Sequence, residues 1–211
     1  LFRGGFQGGD KGRTGLSSSQ RTSLCEKGFS KAYYADFGKN TDYGTTSCSA
    51  VSLDYKSARS SRPADFLKGV HSVIENPDEG PVFVHCMWGV HSSGALSAMA
   101  LVQFCGWSEE RAKRYWNEAR NNAPCGGSCD SWIDAKFKNF KYDPALEISD
   151  AQRAAIERLG RVGDIVAKII PAVRRGIALG VECQAFDHPT EDESMDGIEQ
   201  VPVKEAEQSL R

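Results

Sequence analysis

The chain lacks a long apolar run and an excess of positive charge, and both absences narrow the range of functions that it can have. No stretch reaches the roughly 20 consecutive apolar residues that a membrane-spanning helix needs. Its 26 lysines and arginines are outnumbered by 28 aspartates and glutamates, which gives a formal net charge of −2. The chain therefore has no overall basic field of the kind that attracts nucleic acid, and we expect neither a membrane span nor a nucleic-acid partner.

The chain also lacks an internal repeat and a visible secretory signal peptide. It opens on the strand-like Leu1-Phe2-Arg3, as expected of a mature or trimmed form. Seven cysteines are nevertheless many for a cytosolic protein of 211 residues. Their odd number predicts one reactive thiol, Cys86, and up to three disulfides among the other six, with Cys125 and Cys129 placed to close a small loop. This pattern favours an exported protein, periplasmic or secreted, over a cytoplasmic one.

Strand-like and helix-like segments alternate along the first 142 residues. Apolar runs bounded by turn residues predict short strands at 1–6, 32–37, 49–53 and 81–84. Helical periodicity and capping residues predict helices at 19–27, 64–75, 94–105, 108–119 and 130–142. This alternation predicts an α/β fold with a central, mostly parallel sheet flanked by helices on both faces.

Two further segments follow this predicted domain at 1–142. Apolar residues recur at three and four along 150–181, so 143–184 is predicted to be a helical extension that packs on the core, kinked at Pro171. Residues 185–211 are predominantly acidic. They predict a solvated tail without chemistry of its own.

One cysteine lies between a predicted strand and a predicted helix. Val82-Phe83-Val84 is typical of a buried strand, and the small apolar residues from Gly94 to Val102 are typical of a buried helix. Between them the chain runs His-Cys-Met-Trp-Gly-Val-His-Ser-Ser, from His85 to Ser93. Since free backbone N–H groups and a positive dipole end meet at the start of a helix, this position favours a thiolate and binds anions.

This segment resembles the signature loop of the cysteine-dependent phosphatases, the protein-tyrosine and dual-specificity superfamily, which reads H-C-x-x-G-x-x-R-[S/T]-G. The positions that agree in order and spacing are His85, Cys86, Gly89, Ser93 and Gly94. Ser92 stands where the family has an arginine, whose guanidinium forks onto the phosphoryl oxygens. The opening Leu-Phe-Arg-Gly-Gly-Phe is similar to the first strand of dual-specificity phosphatases, so the resemblance covers about 1–142. It implies a phosphotyrosine-phosphatase-like fold and hydrolysis of phosphomonoesters through a cysteinyl-phosphate.

The resemblance also implies roles for individual residues. Cys86 is the implied nucleophile, His85 orders the loop by hydrogen bonding, and Ser93 stabilises the departing thiolate. The implied substrate-binding residues are His85, Met87, Trp88, Gly89, Val90, Ser92 and Gly94. Trp88 either stacks on a ring-shaped ligand or packs beneath the loop.

A general acid must protonate the leaving group, and the resembling enzymes carry an aspartate for this purpose on a loop after a strand. Asp54 lies 32 residues before Cys86 and follows a strand-like run, so it is the candidate acid. Asp42 and Asp65 are alternatives.

The sequence leaves open which residue supplies the positive charge that the arginine of the signature loop would carry. His91, when protonated, places a positive charge one residue from Ser92. Arg59 and Arg62 are further candidates, although surface charge is the simpler explanation for both.

Three functions therefore remain open. The first is a phosphatase with an atypical loop, acting on a phosphorylated small molecule or a phosphoprotein. The second is a pseudophosphatase that binds phosphorylated or anionic ligands without turnover. The third is an enzyme of other chemistry on the same fold, with Cys86 and His91 as a catalytic dyad. No cofactor is expected, and a metal site is disfavoured because the histidines and cysteines lack zinc-type spacings.

Overall fold

A computed structural model describes residues 1–5, 15–35, 41–87, 89–119, 129–138 and 140–157, and the structural statements below concern these residues. The strands are β1 (Phe2–Gly5), β2 (Lys31–Ala35), β3 (Asp42–Ser47), β4 (Ser52–Ala58) and β5 (Val82–Cys86). They form one sheet in the order β1-β5-β2-β4-β3. All neighbouring pairs are parallel except β3 and β4, which are antiparallel.

Successive residues of a strand point to opposite faces of the sheet, and helices cover both of these faces. Ala32 and Tyr34 of β2 face a smaller core that contains Cys25 of α1 (Ser18–Glu26). Tyr33 and Ala35 face the larger core. That core is covered by α2 (Ala64–Glu75), α3 (Ser92–Cys105), α4 (Glu109–Ala119) and α5 (Cys129–Phe137). The predicted α/β class with a mostly parallel sheet is confirmed.

The helix at 64–75 has the predicted bounds, whereas several other elements differ from prediction. The strand expected at 49–53 begins at Ser52 and runs to Ala58 as β4. It is preceded by β3, which was not predicted because this edge strand is largely exposed and therefore shows no apolar alternation. The helix expected to reach residue 142 ends at Phe137, after which Phe140 returns to the core.

The segment after α5 contacts the helices of the larger core. Gln103 of α3 donates to the Asp143 carbonyl and accepts from the Asp143 N–H, each at 2.9 Å. Residues 150–157 are helical. From this helix Arg153 donates to the Phe104 carbonyl at 3.0 Å. The rest of the predicted extension (158–184) and the predicted tail (185–211) lie outside the described residues.

A disulfide joins Cys25 of α1 to Cys48, which directly follows β3. Cys105, at the end of α3, is also disulfide-bonded, and its partner lies outside the described part of the chain. The side chains of the predicted pair Cys125 and Cys129 lie outside it as well. Among the described helices, none is both long and apolar enough to cross a membrane.

Candidate active site

Cys86 is the last residue of β5, at the carboxyl end of a strand that has a parallel neighbour on each side. Its side chain is 4% exposed, and it is a free thiol. The Cys86 Sγ lies 3.2 Å from the Oγ of Ser93, in the first turn of α3. The structure thus brings together the predicted nucleophile and the predicted thiolate-stabilising hydroxyl at the start of a 14-residue helix.

The loop from Met87 to His91 connects β5 to α3. Gly89 is buried and has a φ of 71°, a left-handed conformation that other residues rarely adopt. The Val90 carbonyl accepts a hydrogen bond of 2.8 Å from the indole Nε1 of Trp116, a fully buried residue of α4. Met87 is 38% exposed, and His91 directly precedes α3. The predicted ligand contact Trp88 lies outside the described residues.

Ser92 is buried in the first turn of α3, with only 2% of its surface exposed. Within the described part of the chain its Oγ has no hydrogen-bond partner. A buried hydroxyl without a partner is costly, and a ligand that accepts a hydrogen bond would remove that cost. A hydroxyl carries no charge, however, so Ser92 does not supply the positive charge of the arginine that the resemblance places here.

His85 is buried and neutral, held by an oriented tyrosine. The Leu16 N–H donates to the Tyr55 hydroxyl oxygen at 2.8 Å, and the same hydroxyl shares a hydrogen bond of 2.8 Å with the His85 Nε2. The other ring nitrogen, Nδ1, has no partner among the described residues. Burial lowers the pKa of His85 from 6.5 to about 4. His85 is therefore neutral near neutral pH and too weakly basic there to act as a general base.

Asp54 does not lie at the Cys86 end of the sheet. The β2 residue Lys31 pairs with Asp54 on one side and with Val82 on the other, which places Asp54 level with the start of β5. Four residues of strand, about 13 Å, separate that level from Cys86. The Asp54 carboxylate also pairs with Lys56 Nζ at 2.6 Å. The predicted general acid therefore lies toward the opposite edge of the sheet from Cys86, because β4 continues past Asp54 to Ala58 before the chain turns.

The residues that follow β4 lie at the correct edge. Ala58 pairs with Ala35, one residue beyond the Tyr34–His85 pair, so Ala58 is level with Cys86. Arg59 and Arg62 come next, and Asp65 lies exposed in the first turn of α2. Asp42, the other alternative, is in β3 and accepts from the N–H of Gly44 at 2.8 Å. Asp42 pairs with Lys56 and so lies level with Val84, two residues short of Cys86, whereas Asp65 follows the end of β4.

Arg3 is a site residue that the sequence did not single out. It pairs with Val84 across β1 and β5, so its side chain leaves the sheet on the same face as Val84 and Cys86. The side chain is only 5% exposed. A Cβ built on Gly94 would lie 3.3 Å from Arg3 Nη1, which places the guanidinium at the first turn of α3. Burial lowers the pKa of Arg3, while negative charge on Tyr115 or Cys86 acts in the opposite direction.

The site is thus a buried thiol, two buried serine hydroxyls and a buried guanidinium around the start of one helix. No family model and no curated protein matches this chain. Within the described residues, no three His, Cys, Asp or Glu side chains converge as metal ligands do.

Proposed function

We propose that this protein is a phosphatase-like hydrolase of the protein-tyrosine and dual-specificity fold, which cleaves phosphomonoesters through a cysteinyl-phosphate. The observation that carries the proposal is the 3.2 Å contact between Cys86 Sγ and Ser93 Oγ, across a glycine-containing loop that joins a parallel strand to a helix. This arrangement puts a nucleophile and an anion-binding helix start within one loop. A purely structural buried cysteine would need neither.

The proposed reaction has two steps. The Cys86 thiolate attacks phosphorus, so an S–P bond forms while the P–O bond to the alcohol breaks and the leaving oxygen takes a proton from a carboxylic acid. Water then attacks phosphorus, gives a proton to that carboxylate, and the S–P bond breaks. The hydroxyl of Ser93 donates to Sγ as the thiolate re-forms, which makes sulfur a better leaving group.

Asp65 is the acid in this proposal. It begins α2 at the sheet edge where Cys86 lies, and it is exposed, as a group that must reach a bound ester needs to be. Asp54 is the matched control because it is also an aspartate but lies at the opposite edge.

The proposed substrate is a phosphorylated small molecule or a phosphoprotein. Met87, exposed beside the nucleophile, gives the loop an apolar rim against which the alcohol part of such a substrate would pack. Nucleic acid is not a proposed partner, because the net charge of −2 offers no overall attraction to it.

Turnover of a broad panel of phosphomonoesters tests this function. We expect phosphate release that Cys86→Ser abolishes, and a phosphorylated Cys86 peptide after acid quenching. Asp65→Asn should slow esters with poor leaving groups about 100-fold and aryl esters with good leaving groups much less, whereas Asp54→Asn should change neither. Phosphate release that survives Cys86→Ser would refute the mechanism.

A pseudophosphatase is the second candidate, and the buried, uncharged Ser92 favours it. Such a protein would bind inorganic phosphate or a phosphopeptide in the Cys86 loop without releasing phosphate from any ester. Isothermal titration with inorganic phosphate separates the two, since binding without turnover supports this candidate and turnover excludes it.

An exported location, periplasmic or secreted, is part of the proposal. The disulfide between Cys25 and Cys48 supports it, because structural disulfides persist mainly in oxidising compartments.

A further inference from the structure

Arg3 is a buried cation without an obvious counter-charge. Its side chain is 5% exposed, and no carboxylate of the described residues lies within ion-pair distance of it. A buried charge is costly unless an opposite charge or strong hydrogen bonds accompany it. An anion near Arg3 would therefore lower the cost of burying its charge.

The helix start beside Arg3 is a second positive feature that favours an anion at this point. The guanidinium lies at the first turn of α3, next to Gly94, where the helix dipole is also positive. Two positive features converge at one point, and the acidic groups that act on Arg3 there are the hydroxyl of Tyr115 and the thiol of Cys86. Ser92, in the same turn, adds a hydroxyl that is 2% exposed and has no partner among the described residues.

The chain brings Arg3 to this point through sheet pairing. Gly5 pairs with Cys86 and Arg3 with Val84, so the Cα atoms of Arg3 and Cys86 are about 8 Å apart by strand geometry. An extended arginine side chain covers that separation. Both residues emerge on the face that α3 covers, and the absence of a side chain at Gly94 leaves the space that the guanidinium and Trp116 occupy.

We propose that Arg3 is the cationic group of this site: from the neighbouring strand it stabilises the Cys86 thiolate and a phosphate-type oxyanion bound in the loop, the electrostatic role that Ser92 cannot fill. The oxyanion part of this inference rests on the proposed function, whereas the thiolate part does not. A negative charge on Tyr115 or Cys86 stabilises the charged form of Arg3. An opposite charge nearby favours the charged form of a thiol, and the strand pairing brings Arg3 and Cys86 to the same face of the sheet.

The test measures the thiolate directly, so it does not depend on turnover. The ultraviolet absorbance of the thiolate is taken as the difference between the wild type and Cys86→Ser across a pH series. The alkylation rate of Cys86 by iodoacetamide is followed by peptide mass spectrometry, with and without inorganic phosphate as the protecting anion. The variants are Arg3→Met, which removes the charge, Arg3→Lys, which retains it, and Arg114→Met, a control at an exposed position of α4.

We expect iodoacetamide to alkylate Cys86 at neutral pH about 10-fold more slowly in Arg3→Met than in the wild type, because the charge that favours the thiolate is gone. Protection by inorganic phosphate should weaken by at least about 10-fold in the same variant. Arg3→Lys should keep most of both properties, and Arg114→Met should match the wild type. Circular dichroism verifies that each variant is folded.

Two results would overturn the inference. One is an Arg3→Met protein that retains the thiolate and the phosphate protection of the wild type. The other is a wild type without any thiolate at neutral pH. This result needs no Arg3 variant, so it overturns the inference even if Arg3→Met fails to fold. A wild type that shows an Arg3-dependent thiolate but hydrolyses no phosphoester would refute the proposed function and leave the inference standing.

Discussion

Gly94→Ala should destabilise the protein by displacing one indole. A Cβ at this position would lie 2.3 Å from Nε1 and 2.5 Å from Cδ1 of Trp116, where ordinary contact begins near 3.4 Å. The indole must therefore retreat by about 1 Å, yet Trp116 is fully buried in the larger core. The same movement breaks the 2.8 Å hydrogen bond from Trp116 Nε1 to the Val90 carbonyl.

The size of the effect follows from three contributions. Overpacking a close-packed core costs about 1–3 kcal/mol. Loss of the hydrogen bond between the buried Trp116 Nε1 and the partly buried Val90 carbonyl costs about 1–3 kcal/mol more. Alanine is better than glycine inside a helix by about 0.5–1 kcal/mol, which offsets part of this. We expect Gly94→Ala to lower the free energy of unfolding by about 3 kcal/mol.

Urea unfolding followed by far-ultraviolet circular dichroism measures this change in a double-mutant cycle with Trp116→Phe. Phenylalanine lacks the Nε1 that the new Cβ would meet, so the two losses should overlap by about 1–2 kcal/mol. Ser97→Ala is the control in the same helix, because Ser97 is buried and its Oγ has no partner among the described residues. Strict additivity of the two changes would refute the proposed contact between Gly94 and Trp116.

Two further predictions concern the stability of the fold. Because burial lowers the pKa of His85 from 6.5 to about 4, the unfolded chain binds a proton there that the folded chain does not. Stability should thus be full above pH 6.5 and fall by about 3 kcal/mol as the pH drops to 4, a loss that urea titrations should not find in His85→Asn. Replacing both Cys25 and Cys48 by alanine should cost about 3 kcal/mol, as expected for a closure of 23 residues, and an unchanged melting temperature would contradict this.

The part of the site that could be predicted is the part that is local in sequence. Cys86 and Ser93 are seven residues apart on a strand–loop–helix unit, and each half of that unit has its own apolar pattern. The bounds of α2 were predictable for the same reason, since Pro63 and a regular apolar periodicity mark them. Local signals suffice where the chain itself brings the groups together.

Local patterns do not predict positions that depend on pairing between strands distant in the chain. Asp54 was placed by counting back from Cys86, but the level of a residue in a parallel sheet depends on where its strand ends, and β4 ends later than its apolar pattern indicates. Arg3 was missed because it reaches Cys86 only through the pairing of β1 with β5, strands that lie some 80 residues apart in the chain. No local pattern carries that information.

The relation between Ser92 and Arg3 leads to a final prediction, the transfer of the positive charge from one position to the other. If Arg3 is the cation of the site, Ser92→Arg in an otherwise wild-type chain adds a second buried cation next to the first, and part of its benefit is lost to repulsion. In Arg3→Met the same substitution meets no such repulsion. A guanidinium there makes two parallel charge-assisted bonds to a phosphoryl group, and these strengthen as charge develops in the transition state.

We therefore expect Arg3→Met/Ser92→Arg to bind inorganic phosphate at least about 10-fold more tightly than Arg3→Met and to hydrolyse phosphoesters faster by a similar factor. His91→Ala should leave this gain intact, because in a phosphatase neither attack nor protonation uses that imidazole. Titration with inorganic phosphate and steady-state turnover of one aryl phosphate measure both quantities. If the double variant gains nothing while His91→Ala abolishes an activity of the wild type, then a positive charge at this loop does not determine the activity. Cys86 and His91 would then be a dyad of another kind.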